Sequence, residues 1–195
     1  MSEAWVVIAD TSSDATASAV RTADVSRPVA ILIGAPGAGK STVGAALAEA
    51  LGVAFRDTDS DIEQAAGKSV SDIFFDDGED HFRTLEAAAV AVALAEHDGV
   101  LALGGGSILD QRTRVLLSGH RVIWLRVDVP AAASRVGLAR DRPMLSMNPR
   151  GHLRQLLAER APLYAEVATI TADTVDRAPD AVVAELIDIL RARRL

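Results

Sequence analysis

The sequence predicts an α/β fold, a three-layer α/β/α sandwich built on a five-stranded parallel sheet. Two observations predict it. Five apolar runs of strand length alternate with stretches of helical periodicity, which is the pattern of consecutive β-α-β units. A glycine-rich segment, Gly34–Thr42, joins the first apolar run to the first helical stretch. With 195 residues, 49% of them hydrophobic, the chain is long enough for one domain with a sizeable core.

The predicted strands are Val29–Ile33, Val53–Arg56, Val100–Leu103, Arg121–Val127 and Val167–Thr171. The predicted helices are Lys40–Leu51, Asp59–Ala66, Gly78–Glu96, Gln111–Leu117, Pro130–Val136, Pro149–Glu159 and Pro179–Arg193. Proline opens three of these helices, at the position where its missing N–H costs least. Because no internal repeat and no second core is evident, residues 28–195 are predicted to form a single domain.

The first 27 residues differ from the rest of the chain. A short apolar run, Ala4–Ala9, precedes a tract rich in Ser, Thr, Ala and Asp that extends to Ser26. Such a tract buries too little apolar surface to fold, so residues 1–27 are predicted to form an N-terminal extension that is disordered at least in part. The apolar run is too short, and the residues before it are too acidic, for a signal peptide.

Composition and charge exclude several classes of function. The absence of cysteine excludes disulfides, thiolate metal sites and cysteine nucleophiles. A net charge of −7 lacks the basic footprint of a broad nucleic-acid or membrane-binding face. No apolar run reaches the roughly eighteen residues of a membrane span. We therefore expect a cytoplasmic protein that binds neither nucleic acid nor membrane.

The segment Gly34–Thr42 carries the phosphate-loop pattern G-x-x-x-x-G-K-[ST] in full. Its glycines let backbone N–H groups turn inward around an anion, and the following helix adds unpaired N–H groups and the positive end of its dipole. Lys40 is placed to reach the outer phosphates of a nucleotide, and the Ser41 hydroxyl to ligate Mg²⁺. A glycine-rich turn without a ligand is the alternative. The lysine, the hydroxyl and the strand–loop–helix context favour a P-loop NTPase fold.

The segment Asp57-Thr58-Asp59 follows the second predicted strand. Ligands of open α/β sheets bind beyond the carboxyl ends of the strands, so both carboxylates are predicted to face the phosphate loop. One of them would hold Mg²⁺ through water, and the other would accept a proton from a substrate hydroxyl. For either residue alone, a helix N-cap or a solvated turn is an equally good interpretation. Together with a complete phosphate loop, the functional interpretation is favoured.

Two further features are ambiguous by spacing alone. Arg83 and Glu86 are three residues apart on a predicted helix, which favours an exposed surface pair over an arginine held ready for a carboxylate. Gly104–Gly106 follows the third predicted strand. Three glycines indicate either a close approach of a ligand to the backbone or a plain tight turn, and the two are equally compatible with the sequence.

Two arginine-containing segments come later in the chain. Arg140–Leu145 is predicted to be a mobile lid that neutralises charge on a transferring phosphoryl group and excludes water, with a basic surface loop as the alternative. Arg160 follows the predicted helix 149–159. It is interpreted either as a second substrate arginine or as a favourable charge at a helix C-terminus.

In their order and spacing, these motifs resemble those of shikimate kinases, in the nucleoside-monophosphate-kinase-like branch of P-loop proteins. The resemblance extends from about Val29 to the C-terminus, and the ordered set is far more specific than the phosphate loop alone. Met144 stands where leucine is frequent in the family, a nearly volume-neutral change. The motifs are GAPGAGKST (34–42), DTD (57–59) followed by Ile62, GEDHFRTLE (78–86), GGG (104–106), RP (142–143) and RAPLY (160–164).

The resemblance implies ATP as the phosphoryl donor, shikimate as the acceptor and one Mg²⁺ per ATP, in the pathway to chorismate and aromatic amino acids. It also implies substrate-binding helices and a lid at about residues 137–150, and the protein is expected to be a monomer. The implied catalytic residues are Asp59 as base, Lys40 and Arg142. The residues implied to bind ATP are Gly37, Ala38, Gly39, Lys40, Ser41, Thr42, Arg135, Arg142 and Arg177, and those implied to hold the metal are Ser41 and, through water, Asp57. The residues implied to bind shikimate are Asp59, Arg83, Gly104, Gly105, Gly106 and Arg160.

Other functions are compatible with parts of this pattern. A gluconate kinase would share the phosphate loop and the lid, but not the combination of DTD, GGG and two carboxylate-binding arginines. A nucleotide-binding regulator without phosphoryl transfer would be expected to lack one of Lys40, Asp59 and Arg142, and all three are present. A nucleoside monophosphate kinase is disfavoured because no second nucleotide site is evident in the acceptor segments.

Overall fold

A computed structural model describes residues 28–136 and 148–192. The predicted extension 1–27 and residues 137–147 of the predicted lid, including Arg142, lie outside the described residues. The last three lid positions, 148–150, instead belong to the start of a long helix, where the Asn148 side chain accepts a hydrogen bond from the backbone N–H of Gly151 at 2.8 Å.

The described elements alternate between strands and helices along the chain. They are β1 (Ala30–Ile33), α1 (Lys40–Leu51), β2 (Phe55–Asp57), α2 (Thr58–Ala66), α3 (Val70–Asp76), α4 (Glu79–Glu96), β3 (Val100–Ala102), a 3₁₀ turn (Ser107–Leu109), α5 (Gln111–Leu116), β4 (Val122–Arg126), α6 (Val129–Arg135), α7 (Pro149–Val167), β5 (Ile170–Asp173) and α8 (Pro179–Ala192). Among these helices none is long and apolar enough to cross a lipid bilayer.

The sheet contains five parallel strands, as predicted, and their order is β2-β3-β1-β4-β5. Strand β1 is central and fully buried, because helices cover both faces of the sheet. Leu32 faces a core shared with α1 and α8, whereas Ile31 and Ile33 face a core shared with α4 and α7. The three-layer α/β/α fold is therefore confirmed, and the carboxyl ends of β1 to β4 meet at one edge of the sheet.

Helix α7 differs most from its prediction. It continues through Pro162 to Val167 instead of ending at Glu159, and β5 begins at Ile170 instead of Val167. The proline removes the hydrogen bond to the carbonyl of Ala158, but Ala158 is exposed and water can satisfy that group. Packing of the apolar face beyond the proline against the sheet outweighs this loss. The interpretation of Arg160 as a charge at a helix C-terminus is therefore wrong.

One helix was not predicted from the sequence. Helix α3 has seven residues and begins after Ser69, whose side chain accepts a hydrogen bond from the backbone N–H of Asp72 at 3.1 Å. Its buried residue, Ile73, packs with Ile62 and Phe82 in a small separate cluster. Such a short helix depends on this tertiary contact, because isolated helices of its length are unstable in water.

Candidate active site

The phosphate loop connects β1 to α1 in an anion-binding conformation. Gly37 and Gly39 have φ angles of 79° and 90°, in the left-handed region. A Cβ atom at Gly37 would also lie 2.8 Å from the carbonyl oxygen of Ala132, so no other residue fits there without rearrangement. Gly39 is the N-cap of α1 and makes no side-chain cap, which leaves the first N–H groups of the helix available to a ligand.

Lys40 extends back over the phosphate loop. Its Nζ donates hydrogen bonds to the carbonyl oxygens of Gly34 at 2.8 Å and Ala35 at 3.4 Å. Burial lowers the pKa of Lys40, and the nearby carboxylates of Asp59 and Asp57 oppose that shift. The ammonium group is thus a positive charge at the loop, and the hydrogen-bond acceptors that the described residues offer it are the two carbonyl oxygens.

Asp57 makes the N-cap contact that was one of the alternatives, and it also contacts the phosphate loop. One carboxylate oxygen accepts a hydrogen bond from Ser41 Oγ at 2.7 Å, and the other accepts one from the backbone N–H of Asp59 at 3.1 Å. Asp57 is therefore the N-cap of α2 and at the same time a contact of the phosphate loop. Carboxylate and hydroxyl oxygens are ligands that Mg²⁺ accepts, so this pair fits the cation.

The described residues hold no cluster of three or more metal-binding side chains. In nucleotide sites, one or two protein groups usually bind Mg²⁺ together with phosphate oxygens and water.

Asp59 lies in the first turn of α2. Its Oδ1 atom is buried and has no hydrogen-bond partner among the described residues. Burial, reinforced by the neighbouring Asp57 and opposed by Lys40, raises the pKa of Asp59 to about 6. A buried acceptor without a donor is costly to the fold and marks a place where a ligand group is expected to bind.

Gly104 lies between Asp59 and a second buried carboxylate, Glu86. A Cβ atom at Gly104 would lie 2.5 Å from Asp59 Oδ1 and 2.5 Å from Glu86 Oε1. At Gly106, a Cβ atom would lie 2.0 Å from Nη1 of Arg83. The backbone N–H of Ser107 donates to the Gly104 carbonyl at 3.1 Å, so the loop is a tight turn, and side chains also approach its glycines closely.

Arg83 is held by carboxylates on α4. Its Nη1 donates to Glu86 Oε2 at 2.6 Å, while Nε and Nη2 donate to Glu79 Oε1 at 3.2 Å and 2.9 Å. The guanidinium also lies 5.6 Å and 5.4 Å from the ring centroids of Phe74 and Phe82. Because the Glu86 side chain is only 3% exposed, the pair is not the exposed surface pair that the spacing favoured.

Arg160 reaches the triple-glycine loop from α7. Its Nη1 donates to the carbonyl oxygen of Gly105 at 2.9 Å, and the hydroxyl of Tyr164 donates to the same oxygen at 2.6 Å. Tyr164 is 2% exposed, and burial raises its pKa to about 12, so the hydroxyl remains a donor. Arg160 and Arg83 thus contact adjacent residues of one loop, although they are far apart in the sequence.

Three side chains that support the site were not identified from the sequence as functional. Thr58 Oγ1 accepts a hydrogen bond from the backbone N–H of Gly104 at 3.1 Å, and Ser107 Oγ donates to the Gly104 carbonyl at 2.8 Å. Tyr164 is the third. Thr58 and Tyr164 lie within the DTD and RAPLY motifs, and this position was the only sequence signal for a role in the site. Their hydrogen-bond partners are 46 and 59 residues away in the sequence.

A cleft of about 640 Å³ lies beside the phosphate loop and is lined by Arg135 and Arg177. Arg135 Nη1 donates to the Gly37 carbonyl at 3.2 Å and to Thr174 Oγ1 at 2.9 Å, so it connects this loop to the segment after β5. Arg177 forms an ion pair with Glu185 and donates to the carbonyl of Asp173 at 3.1 Å. The size and position of the cleft suit the nucleoside part of a nucleotide.

Known proteins match this chain over most of its described part. A family model described as shikimate kinase matches residues 36–191. A shikimate kinase of Frankia casuarinae is 59% identical over 162 residues, which cover 83% of this chain and 70% of that protein. One from Salinispora tropica is 57% identical over 163 residues, which cover 84% of this chain and 98% of the relative.

The fold is also found in solved structures. A shikimate kinase from Acinetobacter baumannii in complex with shikimate superposes with a TM-score of 0.79 at 36% identity. The match covers 85% of this chain and 94% of that structure. The family model, the relatives and the solved structure agree, and we conclude that the chain belongs to the shikimate kinase family.

Proposed function

We propose that this protein transfers the γ-phosphoryl group of ATP to the 3-hydroxyl of shikimate, giving shikimate 3-phosphate and ADP. ATP-dependent phosphorylation of shikimate is the activity of its family, and the particular hydroxyl and the residue roles are our assignment. The observation that carries the proposal is the buried Oδ1 of Asp59, which has no hydrogen-bond partner in the described part of the chain and lies between a complete phosphate loop and the loop that Arg83 and Arg160 contact.

ATP would bind with its phosphates in the loop Gly37–Thr42 and its nucleoside in the cleft lined by Arg135 and Arg177. Lys40 would leave the carbonyl oxygens that it now contacts and meet the outer phosphates. Arg142, outside the described residues, is proposed to add positive charge to the transferring group.

Ser41 and, through water, Asp57 would hold Mg²⁺, since their hydroxyl and carboxylate oxygens already lie 2.7 Å apart. When bound, Mg²⁺ would neutralise negative charge on the phosphates that the loop encloses. We further propose that the protein works in the cytoplasm, where ATP is supplied.

Shikimate is a small triol with one carboxylate. We propose that its carboxylate and its reacting hydroxyl bind to different residues. The guanidinium groups of Arg83 and Arg160 bind the carboxylate, because their planar donors suit bidentate pairing. Asp59 binds the reacting hydroxyl and accepts its proton. Most of the catalytic effect in phosphoryl transfer comes from positioning and charge stabilisation, which the rigidly held Gly104–Gly106 loop supports.

The test of the proposed function is an ADP-release assay with Mg²⁺ and ATP that compares shikimate, quinate and gluconate as acceptors. Turnover with shikimate and much slower turnover with the other two is expected. Turnover with gluconate but not shikimate would keep the kinase and contradict the acceptor assignment. ATP binding without turnover on any of the three acids would indicate a regulator.

Arg83→Lys is expected to raise KM for shikimate by on the order of tenfold or more and to change KM for ATP by less than about twofold. Lysine keeps the positive charge but cannot make the bidentate contact. Steady-state kinetics with each substrate varied in turn provides the measurement, and Arg112→Lys serves as control, because Arg112 pairs only with the neighbouring Asp110 among the described residues. Equal losses for the two substrates would contradict the assigned role.

Removal of residues 1–26 is expected to leave kcat/KM for shikimate within about twofold of the full chain. The described fold begins at residue 28, and all five strands of the sheet lie within residues 30–173. The same ADP-release assay on both proteins measures this, with thermal unfolding as a check of folding. A large loss of activity or stability would show that the extension belongs to the domain.

A further inference from the structure

The guanidinium of Arg83 has two carboxylate partners, one buried and one exposed to solvent. Glu86 is 3% exposed and its Oε2 accepts from Nη1 at 2.6 Å. Glu79 is 62% exposed, and its Oε1 accepts from both Nε and Nη2. A buried carboxylate cannot return to water when the site is used, whereas an exposed one can do so at little cost. Glu86 is therefore a fixed partner and Glu79 an exchangeable one.

The contact with Glu79 uses a particular edge of the guanidinium. Nε and Nη2 form one of the edges with two parallel donors, which is the geometry that carboxylates prefer when they bind arginine bidentately. The group that occupies this edge is itself a carboxylate, the same group that the proposed acceptor carries. A substrate carboxylate placed beside an undisplaced Glu79 would also meet a like charge, which disfavours simultaneous binding.

We propose that Glu79 is an internal competitor of the substrate, whose carboxylate occupies the Nε/Nη2 edge of Arg83 in the free protein and leaves it when the shikimate carboxylate binds. This inference rests on the proposed function, because it assumes that Arg83 binds the acceptor carboxylate. Glu79 then sets the affinity for the acceptor without touching the reacting atoms. Its helix position supports the exchange, since a side chain in the first turn of α4 can rotate into solvent while the backbone stays in place.

The direct test is Glu79→Gln. Loss of the competing charge is expected to lower KM for shikimate by about two- to fivefold, the range that corresponds to exposed ion pairs. KM for ATP and kcat are expected to stay within about twofold. Asp80→Asn is the matched control, because it removes the same charge from the same exposed first turn and no hydrogen bond from the Asp80 side chain is described. It is expected to change KM for shikimate little.

Two further measurements distinguish competition at Arg83 from a general effect of charge near the site. The methyl ester of shikimate has no carboxylate to compete, so Glu79→Gln is expected not to lower its KM. In an Arg83→Ala background, Glu79→Gln is expected to have no effect on KM for shikimate, because the guanidinium for which Glu79 competes is absent. A decrease that persists in this background would show a general charge effect and would overturn the proposal.

An increase of KM in Glu79→Gln would also overturn the proposal, since it would mean that Glu79 positions Arg83 for the substrate. If Arg83→Ala alone left KM for shikimate unchanged, the assignment of Arg83 in the proposed function would fail instead. The two failures are thus distinguishable in one set of four proteins: wild type, the two single variants and the double variant.

Discussion

Replacing Lys40 with alanine is expected to lower kcat by on the order of 10³-fold or more while the protein remains folded. Among the described residues, Lys40 has the only ammonium group at the phosphate loop, and its Nζ lies 2.8 Å from the Gly34 carbonyl oxygen. Charge on the transferring phosphoryl group must be met by preorganised positive groups, and alanine offers none. Because burial already disfavours the charged form of Lys40, as its lowered pKa indicates, its removal is not expected to destabilise the fold.

The measurement is kcat from ADP release at saturating shikimate, with circular dichroism to follow thermal unfolding. Lys68→Ala is the natural control, because Lys68 is the other lysine of the chain and forms surface ion pairs with Asp76 and Asp77. This control is expected to retain activity. A fully active Lys40→Ala protein would disprove the assignment of the phosphate loop.

Asp59→Asn is expected to lower kcat by about 10²- to 10⁴-fold, the range for loss of a general base, and to leave KM for ATP nearly unchanged. Asparagine keeps the shape of the side chain but cannot accept a proton from the attacking hydroxyl. Kinetics with ATP and shikimate varied in turn measures both parts. Similar losses in ATP affinity and in kcat would mean that Asp59 organises the nucleotide site instead.

The pH dependence of the wild-type enzyme follows from the same carboxylate. The pKa of Asp59 in the free protein is about 6, so kcat/KM for shikimate is expected to fall by about tenfold per pH unit below that value and to level off above it. The residual activity of Asp59→Asn is expected to lack this acidic limb. An identical limb in both proteins would assign it to another group.

The raised pKa also has a consequence for stability. Between about pH 4 and 6 the folded protein binds more protons at Asp59 than the unfolded chain does, so the stability that this group contributes falls as pH rises through this range. Above pH 6 the ionised carboxylate stays buried at a cost. Asp59→Asn is therefore expected to increase the free energy of unfolding at pH 7.5 by about 1–2 kcal/mol relative to wild type, and by less at pH 4. Denaturant titration at both pH values measures the difference.

Much of the fold could be predicted because its signals are local. The apolar run of β1 and the phosphate loop lie in one continuous stretch, and their periodicity and spacing depend only on near neighbours. Helix α7 shows the limit of such signals. A proline at position 162 indicates a helix end by local rules, but the packing of the helix against the sheet overrides it.

The candidate site also combines features that the local sequence determines with features that depend on tertiary structure. The sequence by itself determined the phosphate loop, the two carboxylates Asp57 and Asp59 at the carboxyl end of β2, and the motif order that resembles the family to which the chain belongs. Only the tertiary structure decided which groups have partners: the Oδ1 of Asp59 has none among the described residues, Gly105 accepts from Arg160 and Tyr164, and Glu86 is buried while Glu79 is exposed. The physical reason is that hydrogen-bond satisfaction and burial depend on groups brought together from distant parts of the chain, which residue spacing does not record.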